Sequence, residues 1–113
     1  MTTIWHNPRC SKSRQTLALL EARVDDLTIR AYLDDAPRLD ELRTAQGLLG
    51  CRAIDIMRTG EALFKELGLT RPHPDEALIA AMAAHPKLIQ RPIVFANGRA
   101  ALGRPPEQVL DIL

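Results

Sequence analysis

The chain has 113 residues, 46% of them apolar and 26% charged, with a net charge of +1. That length suits one compact domain with a real core, and the near-zero charge excludes a broadly basic nucleic-acid-binding face. Any anion site must therefore be built from a few local arginines.

The first residues, Met1 to Pro8, have neither a basic stretch nor an apolar one, so they do not read as a signal peptide. No apolar run approaches the roughly 18–20 residues of a membrane span. The expectation is a cytoplasmic protein with no membrane or nucleic-acid partner. The two cysteines, Cys10 and Cys51, are not expected to form a standing disulfide in that compartment.

Taken in chain order, Thr2 to His6 reads as a short strand ending at Asn7-Pro8. Ser11 to Arg23 reads as a helix, with Leu17, Leu20 and Val24 on one face. Leu27, Ile29, Ala31 and Leu33 alternate with Thr28, Arg30 and Tyr32, which predicts a half-buried strand. Asp34 to Pro37 is a loop. Leu42, Ala45 and Leu49 line a helix stopped by Gly50. Ala53, Ile54 and Met57 suggest a short helix closed by Thr59-Gly60. Leu63, Phe64 and Leu67 give another turn or two before Gly68. Leu78, Ile79 and Met82 carry a helix that ends before His85-Pro86.

Ile93 to Ala96 and Arg99 to Leu102 are joined by Asn97-Gly98, the preferred pair for a type I′ hairpin because both central residues need positive φ. Pro105-Pro106 opens a final helix with Val109, Leu110 and Leu113 inward. The order is βαβ, several helices, ββ, α. An early βαβ requires a parallel pair, and the late hairpin adds antiparallel strands. The predicted fold is α/β and thioredoxin-like, a mixed four-stranded sheet flanked by helices. It forms a single domain over 1–113, with a helical insertion over roughly 38–88 between the βαβ and ββα halves.

Cys10 falls between the first strand and the first helix. Helix N-terminal N–H groups lack intrahelical partners, and the helix dipole adds partial positive charge, so both favour a thiolate at this point. Arg9, Lys12 and Arg14 add local cations, and Pro8 stiffens the approach. The turn reads Cys10-Ser11-Lys12-Ser13, so the second cysteine of a C-x-x-C pair is replaced by Ser13. Ser13 can donate a hydrogen bond to the thiolate but cannot form a disulfide. His6 is either a strand-end histidine or a neighbour that favours the thiolate. Cys51 reads as a packed free thiol, with a resolving role as the alternative. His73 and His85 lack metal-ligand spacing, so no metal site and no bound cofactor are expected.

The run Ile4-Trp5-His6-Asn7-Pro8-Arg9-Cys10-Ser11-Lys12-Ser13-Arg14 resembles the ArsC family, the glutathione- and glutaredoxin-coupled arsenate reductases. The resemblance returns at Tyr32-Leu33, Arg58, His85-Pro86, Gln90-Arg91-Pro92-Ile93-Val94 and Gly103-Arg104-Pro105-Pro106. The Cys-Ser-Lys-Ser turn is similar to that of a short side branch of the family. The resemblance implies that Cys10 is the nucleophile, and that Arg58, Arg91 and Arg104 hold the arsenate oxygens. It also implies that His6, Ser13 and Arg14 tune or surround the thiolate, and that Pro92 is a cis-proline beside it. Arsenate or a similar oxyanion would be the substrate, glutathione the co-substrate and glutaredoxin the partner. Guanidinium groups suit such anions because they give paired, charge-assisted hydrogen bonds.

Two rivals share the fold. One is a glutathione-dependent thiol oxidoreductase acting on another substrate at the same site. The other is a non-enzymatic regulator of the Spx type that binds RNA polymerase, which typically carries the C-x-x-C pair this chain lacks. A phosphatase-type loop would need Cys-x5-Arg, and Arg14 comes two residues too early, only four after Cys10.

Overall fold

Four strands form one mixed sheet in the order β2-β1-β3-β4. They are β1 (Thr2–His6), β2 (Leu27–Ala31), β3 (Ile93–Ala96) and β4 (Arg99–Leu102). The computed structural model describes residues 1–90 and 92–113. The chain forms two compact units, Met1–Asp35 with Arg91–Leu113, and Ala36–Gln90.

The first unit holds the sheet. β1 runs parallel to β2, with Ile4 opposite Ile29 and Trp5 opposite Arg30. It runs antiparallel to β3, with Ile4 opposite Val94. Helix α1 (Ser11–Glu21) supplies the crossover between the parallel strands. The β3–β4 hairpin turns through Asn97 (φ 55°) and Gly98 (φ 70°), the two positive φ angles that a type I′ turn demands.

One face of the sheet presents Ile4, Val94 and Ala96. Leu20 of α1 and Val109 and Ile112 of the C-terminal segment pack against it, with Leu17, Val24, Leu27 and Ala101 at the margin. Each fully buried aliphatic side chain contributes about 1.5–3 kcal/mol. The C-terminal segment, Pro106–Ile112, is a 3₁₀ helix. Its buried residues are Pro106, Val109 and Ile112, three apart, which is the repeat of a helix with three residues per turn. This corrects the expected inward set of Val109, Leu110 and Leu113. Val109 remains, Ile112 joins it, and Leu113 is exposed.

The opposite face carries Trp5 and Phe95, whose ring centroids lie 4.9 Å apart. The Arg30 guanidinium sits 5.7 Å from the Trp5 ring centroid. β2 turns most of its apolar set outward. Ile29 is 50% and Leu33 44% exposed, while the following Tyr32 is 1% exposed. β2 is an edge strand, so its apolar set reaches the core only at Leu27. Arg30 and Tyr32 are covered instead.

The second unit is helical. It holds α2 (Leu39–Leu49), a 3₁₀ turn at Ala53–Ile56, α3 (Ala62–Glu66), α4 (Asp75–Ala84) and a 3₁₀ turn at Pro86–Leu88. Its core draws on Leu42, Ala45, Ile56, Leu78, Ile79, Met82 and Leu88. Gly50 ends α2 in the left-handed region (φ 65°), where a side chain is disfavoured. A single β-bridge joins Met57 to Ile89.

Among the described residues, no helix is long and apolar enough to cross a membrane. No group of three or more His, Cys, Asp or Glu among them is placed to hold a metal ion.

Candidate active site

The sheet brings the C-terminal end of β1 to the start of α1, and a tight turn joins the two. Asn7 makes that turn. Its side-chain Oδ1 accepts the Arg9 N–H at 3.0 Å, and its carbonyl accepts the Cys10 N–H at 3.0 Å. Asn7 has no assigned role in the sequence reading, although Asn followed by Pro is a turn-initiating pair.

Cys10 is the N-cap of α1, with extended backbone (φ −97°, ψ 123°). Its carbonyl accepts the first helical bond, from Arg14 N–H at 3.0 Å. No acidic residue lies in the first turn, so no carboxylate competes for the positive end of the helix. Cys10 is buried, with 8% of its surface exposed. Nη1 of Arg104 approaches its Sγ to 4.0 Å, across 94 residues of sequence. A cation at that distance and the helix terminus both favour the anionic sulfur.

Ser13 binds the end of β1 and the turn after it. Its Oγ accepts the Asn7 backbone N–H at 3.0 Å and lies 2.6 Å from His6 Nδ1. With His6 in the Nε2–H tautomer, Ser13 gives its single proton to Nδ1. These contacts tie the first turn of α1 to the end of β1. All three residues are buried. Burial pushes the His6 pKa down; Glu21 opposes this and Arg14 reinforces it. A neutral imidazole is the form that can accept from Ser13.

Gly103 sets the place of Arg104. Its N–H donates to the Pro92 carbonyl at 2.9 Å. A Cβ there would lie 2.5 Å from Thr16 Oγ1 and 2.6 Å from Pro92 Cγ, so only glycine lets the segment lie this close to α1. Thr16 is itself pinned, its hydroxyl donating to the Lys12 carbonyl at 2.8 Å. The sequence signal for this contact is the Gly-Arg-Pro-Pro run, but nothing in the sequence alone names Thr16 as its partner.

The remaining candidates fall in three places. Arg14 donates from Nη1 to the Pro8 carbonyl at 2.8 Å, bracing the turn rather than pointing into open space. Arg58 belongs to the second unit, where it pairs with Glu61 at 2.7 Å. Arg91 and the Arg91–Pro92 peptide bond, the expected cis-proline linkage, lie outside the described residues. Among the described residues the cis X-Pro bond is Arg104–Pro105. Cys51 is a free, half-buried thiol in the second unit. Burial raises its pKa, and the nearby Asp55 and Asp75 carboxylates raise it further.

A mixed β2-β1-β3-β4 sheet whose first strand leads into a helix capped by Cys10 defines a thioredoxin-like fold. The ArsC family model matches residues 5–112. An arsenate reductase of Neisseria meningitidis serogroup A is 50% identical over 112 residues, covering 97% of this chain and 96% of that one. The solved structure of an arsenate reductase from Vibrio cholerae superposes with a TM-score of 0.94 at 52% identity, covering 99% of this chain and 97% of the other. The chain belongs to the ArsC family.

Proposed function

We propose that this protein is an arsenate reductase in which Cys10 is the nucleophile and glutathione and glutaredoxin are the reductants. The observation that carries the reading is the pairing of Cys10, at the head of α1, with the Arg104 guanidinium 4.0 Å from its sulfur. A thiolate attacking an anion must overcome repulsion, and preorganised cations at the site reduce that cost. Membership of the ArsC family and the arsenate reductases among its relatives support the choice of arsenate. In this reading Arg58, Arg91 and Arg104 bind the oxyanion, while His6, Ser13 and Arg14 hold the turn that carries Cys10.

The Cys10 thiolate attacks As(V) of dihydrogen arsenate. An As–S bond forms, an As–O bond breaks, and the oxygen leaves as water with both arsenate protons. Ser13 has no sulfur with which to resolve this adduct, so glutathione does so. Its sulfur bonds to Cys10 Sγ, the As–S bond breaks, and the electron pair stays on arsenic. Arsenic is reduced to As(III) and leaves as arsenite with the glutathione proton, while the two sulfurs are oxidised to a mixed disulfide. Glutaredoxin then removes the glutathionyl group by thiol–disulfide exchange. Reductants of this kind place the reaction in the cytoplasm.

The test is arsenite formation from arsenate by purified protein with glutathione and glutaredoxin. Cys10-dependent arsenite is the expected result. No arsenite, with Cys10-dependent reduction of glutathione mixed disulfides instead, would transfer the site to a thiol oxidoreductase of another substrate.

A further inference from the structure

We propose, on the reading that Arg58 binds oxyanion oxygens, that Glu61 is a positioning residue for that arginine and so sets how tightly the protein takes its oxyanion.

The backbone at Arg58 is held on both sides. Its N–H donates to the Leu88 carbonyl at 2.7 Å, Met57 bridges to Ile89, and the Gln90 N–H donates to the Ile56 carbonyl at 2.7 Å. The side chain is long and flexible and needs its own restraint. Glu61 provides it, with Oε2 2.7 Å from Arg58 Nη1. Both side chains are partly buried, at 31% exposure for Arg58 and 22% for Glu61, so solvent screens the pair less than a surface ion pair.

Glu61 sits where its carboxylate has another use. It is the N-cap of α3, yet its side chain makes no capping hydrogen bond, and Glu is not among the residues preferred at that position. The chain turns at this point, with Glu61 N–H donating to the Arg58 carbonyl at 3.1 Å. That turn brings the carboxylate to the guanidinium instead of to the helix amides. Glu61 Oε1 also lies 3.9 Å from Lys87 Nζ. Two cations and one anion leave the cluster net positive, so Arg58 is steadied without losing its attraction for an anion. A guanidinium has five N–H donors in a rigid fork, and a carboxylate at Nη1 does not exhaust them. Ordering such a side chain before the ligand arrives removes part of the entropy cost of binding.

The test combines arsenate turnover by the wild-type protein with calorimetry of arsenate binding to Cys10→Ser, in which no covalent step follows. Glu61→Ala should raise KM and Kd for arsenate by about three- to tenfold, the range expected for ordering one long side chain, with kcat changed less than about twofold. Glu61→Gln keeps an oxygen of the same reach and should recover most of the loss. In an Arg58→Ala background, Glu61→Ala should add nothing. An unchanged Kd in Glu61→Ala, or an effect that persists without Arg58, would overturn the proposal. Tighter arsenate binding in both Glu61 variants would overturn it too, because the carboxylate would then be repelling the anion. Wild-type protein that binds arsenate but forms no arsenite would end the reductase reading and leave the calorimetric test of Glu61 standing. Wild-type protein that binds no arsenate would overturn both.

Discussion

His6 Nδ1 and Ser13 Oγ lie 2.6 Å apart, a buried hydrogen bond that fastens the end of β1 to the first turn of α1. Asn7 N–H donates to the same oxygen, so three consecutive structural elements meet at one hydroxyl. Cys10 lies inside the loop that this bond closes. Its position therefore depends on Ser13, which occupies the place of the second cysteine of a C-x-x-C pair.

The first prediction concerns pH. Burial lowers the pKa of His6 below its ordinary value of about 6.5. Between the lowered folded value and about 6.5 the unfolded chain binds more protons than the folded one, so stability rises with pH across that window. Above it the full contribution is present, and below the folded pKa it is lost. Urea denaturation at a series of pH values from 5 to 8 should show that slope in the wild type. In His6→Gln the slope should be reduced. An identical pH dependence in both would remove His6 from the titration.

Arg104→Ala should slow the reaction at Cys10. It removes the guanidinium 4.0 Å from the sulfur, and a hydrogen bond to a charged group is worth about 1.5–3 kcal/mol. The expected fall in kcat/KM for arsenate is on the order of 10- to 100-fold. Alkylation of Cys10 by iodoacetamide near neutral pH should slow as well. That second measurement needs no substrate, so it tests the contact independently of the proposed reaction.

Gly103→Ala should act through the same arginine. The new methyl group would lie 2.5 Å from Thr16 Oγ1 and 2.6 Å from Pro92 Cγ, neither of which is the end of a flexible chain. Overpacking of this kind costs about 1–3 kcal/mol. Thermal unfolding should register the loss, and Cys10 alkylation should slow because Arg104 is displaced. Adding Thr16→Ala should recover part of both effects. Full stability and unchanged alkylation in Gly103→Ala would show that the segment has room to move.

Much of this was legible in the residues. Asn97-Gly98 gave the hairpin because few pairs tolerate two successive positive φ angles, and both are present. The position of Cys10 at a strand–helix junction followed from the apolar periodicity on either side. β2 was legible as a strand but not in its facing. Alternation reports two faces, and the choice between them depends on what covers each one. An arginine over the Trp5 ring counts as covered and an edge isoleucine does not. The last helix hid its 3₁₀ repeat because Val109, Leu110 and Leu113 also fit a period of 3.6. At the site, the approach of Arg104 to Cys10 spans 94 residues and no local pattern encodes it. The family resemblance pointed to Arg104, and the Gly103 contact with Thr16 gives the physical reason it can reach.

The final prediction separates the two cysteines. Cys10 caps a helix and faces a guanidinium, conditions that favour a thiolate. Cys51 is half-buried, with Asp55 and Asp75 nearby, and its pKa is pushed up by burial first and by those carboxylates second. The thiolate is the nucleophile in thiol–disulfide exchange, so Cys51 is a poor candidate to attack an adduct on Cys10. Cys10→Ser should abolish arsenite formation, and Cys51→Ser should retain it. Intact-mass measurement after one turnover without glutaredoxin should show one glutathione on the protein, mapped to Cys10 by peptide digestion. The same adduct should form in Cys51→Ser. An internal Cys10–Cys51 disulfide, together with an inactive Cys51→Ser protein, would instead mean that the chain resolves its own intermediate, and the monothiol mechanism would have to be abandoned.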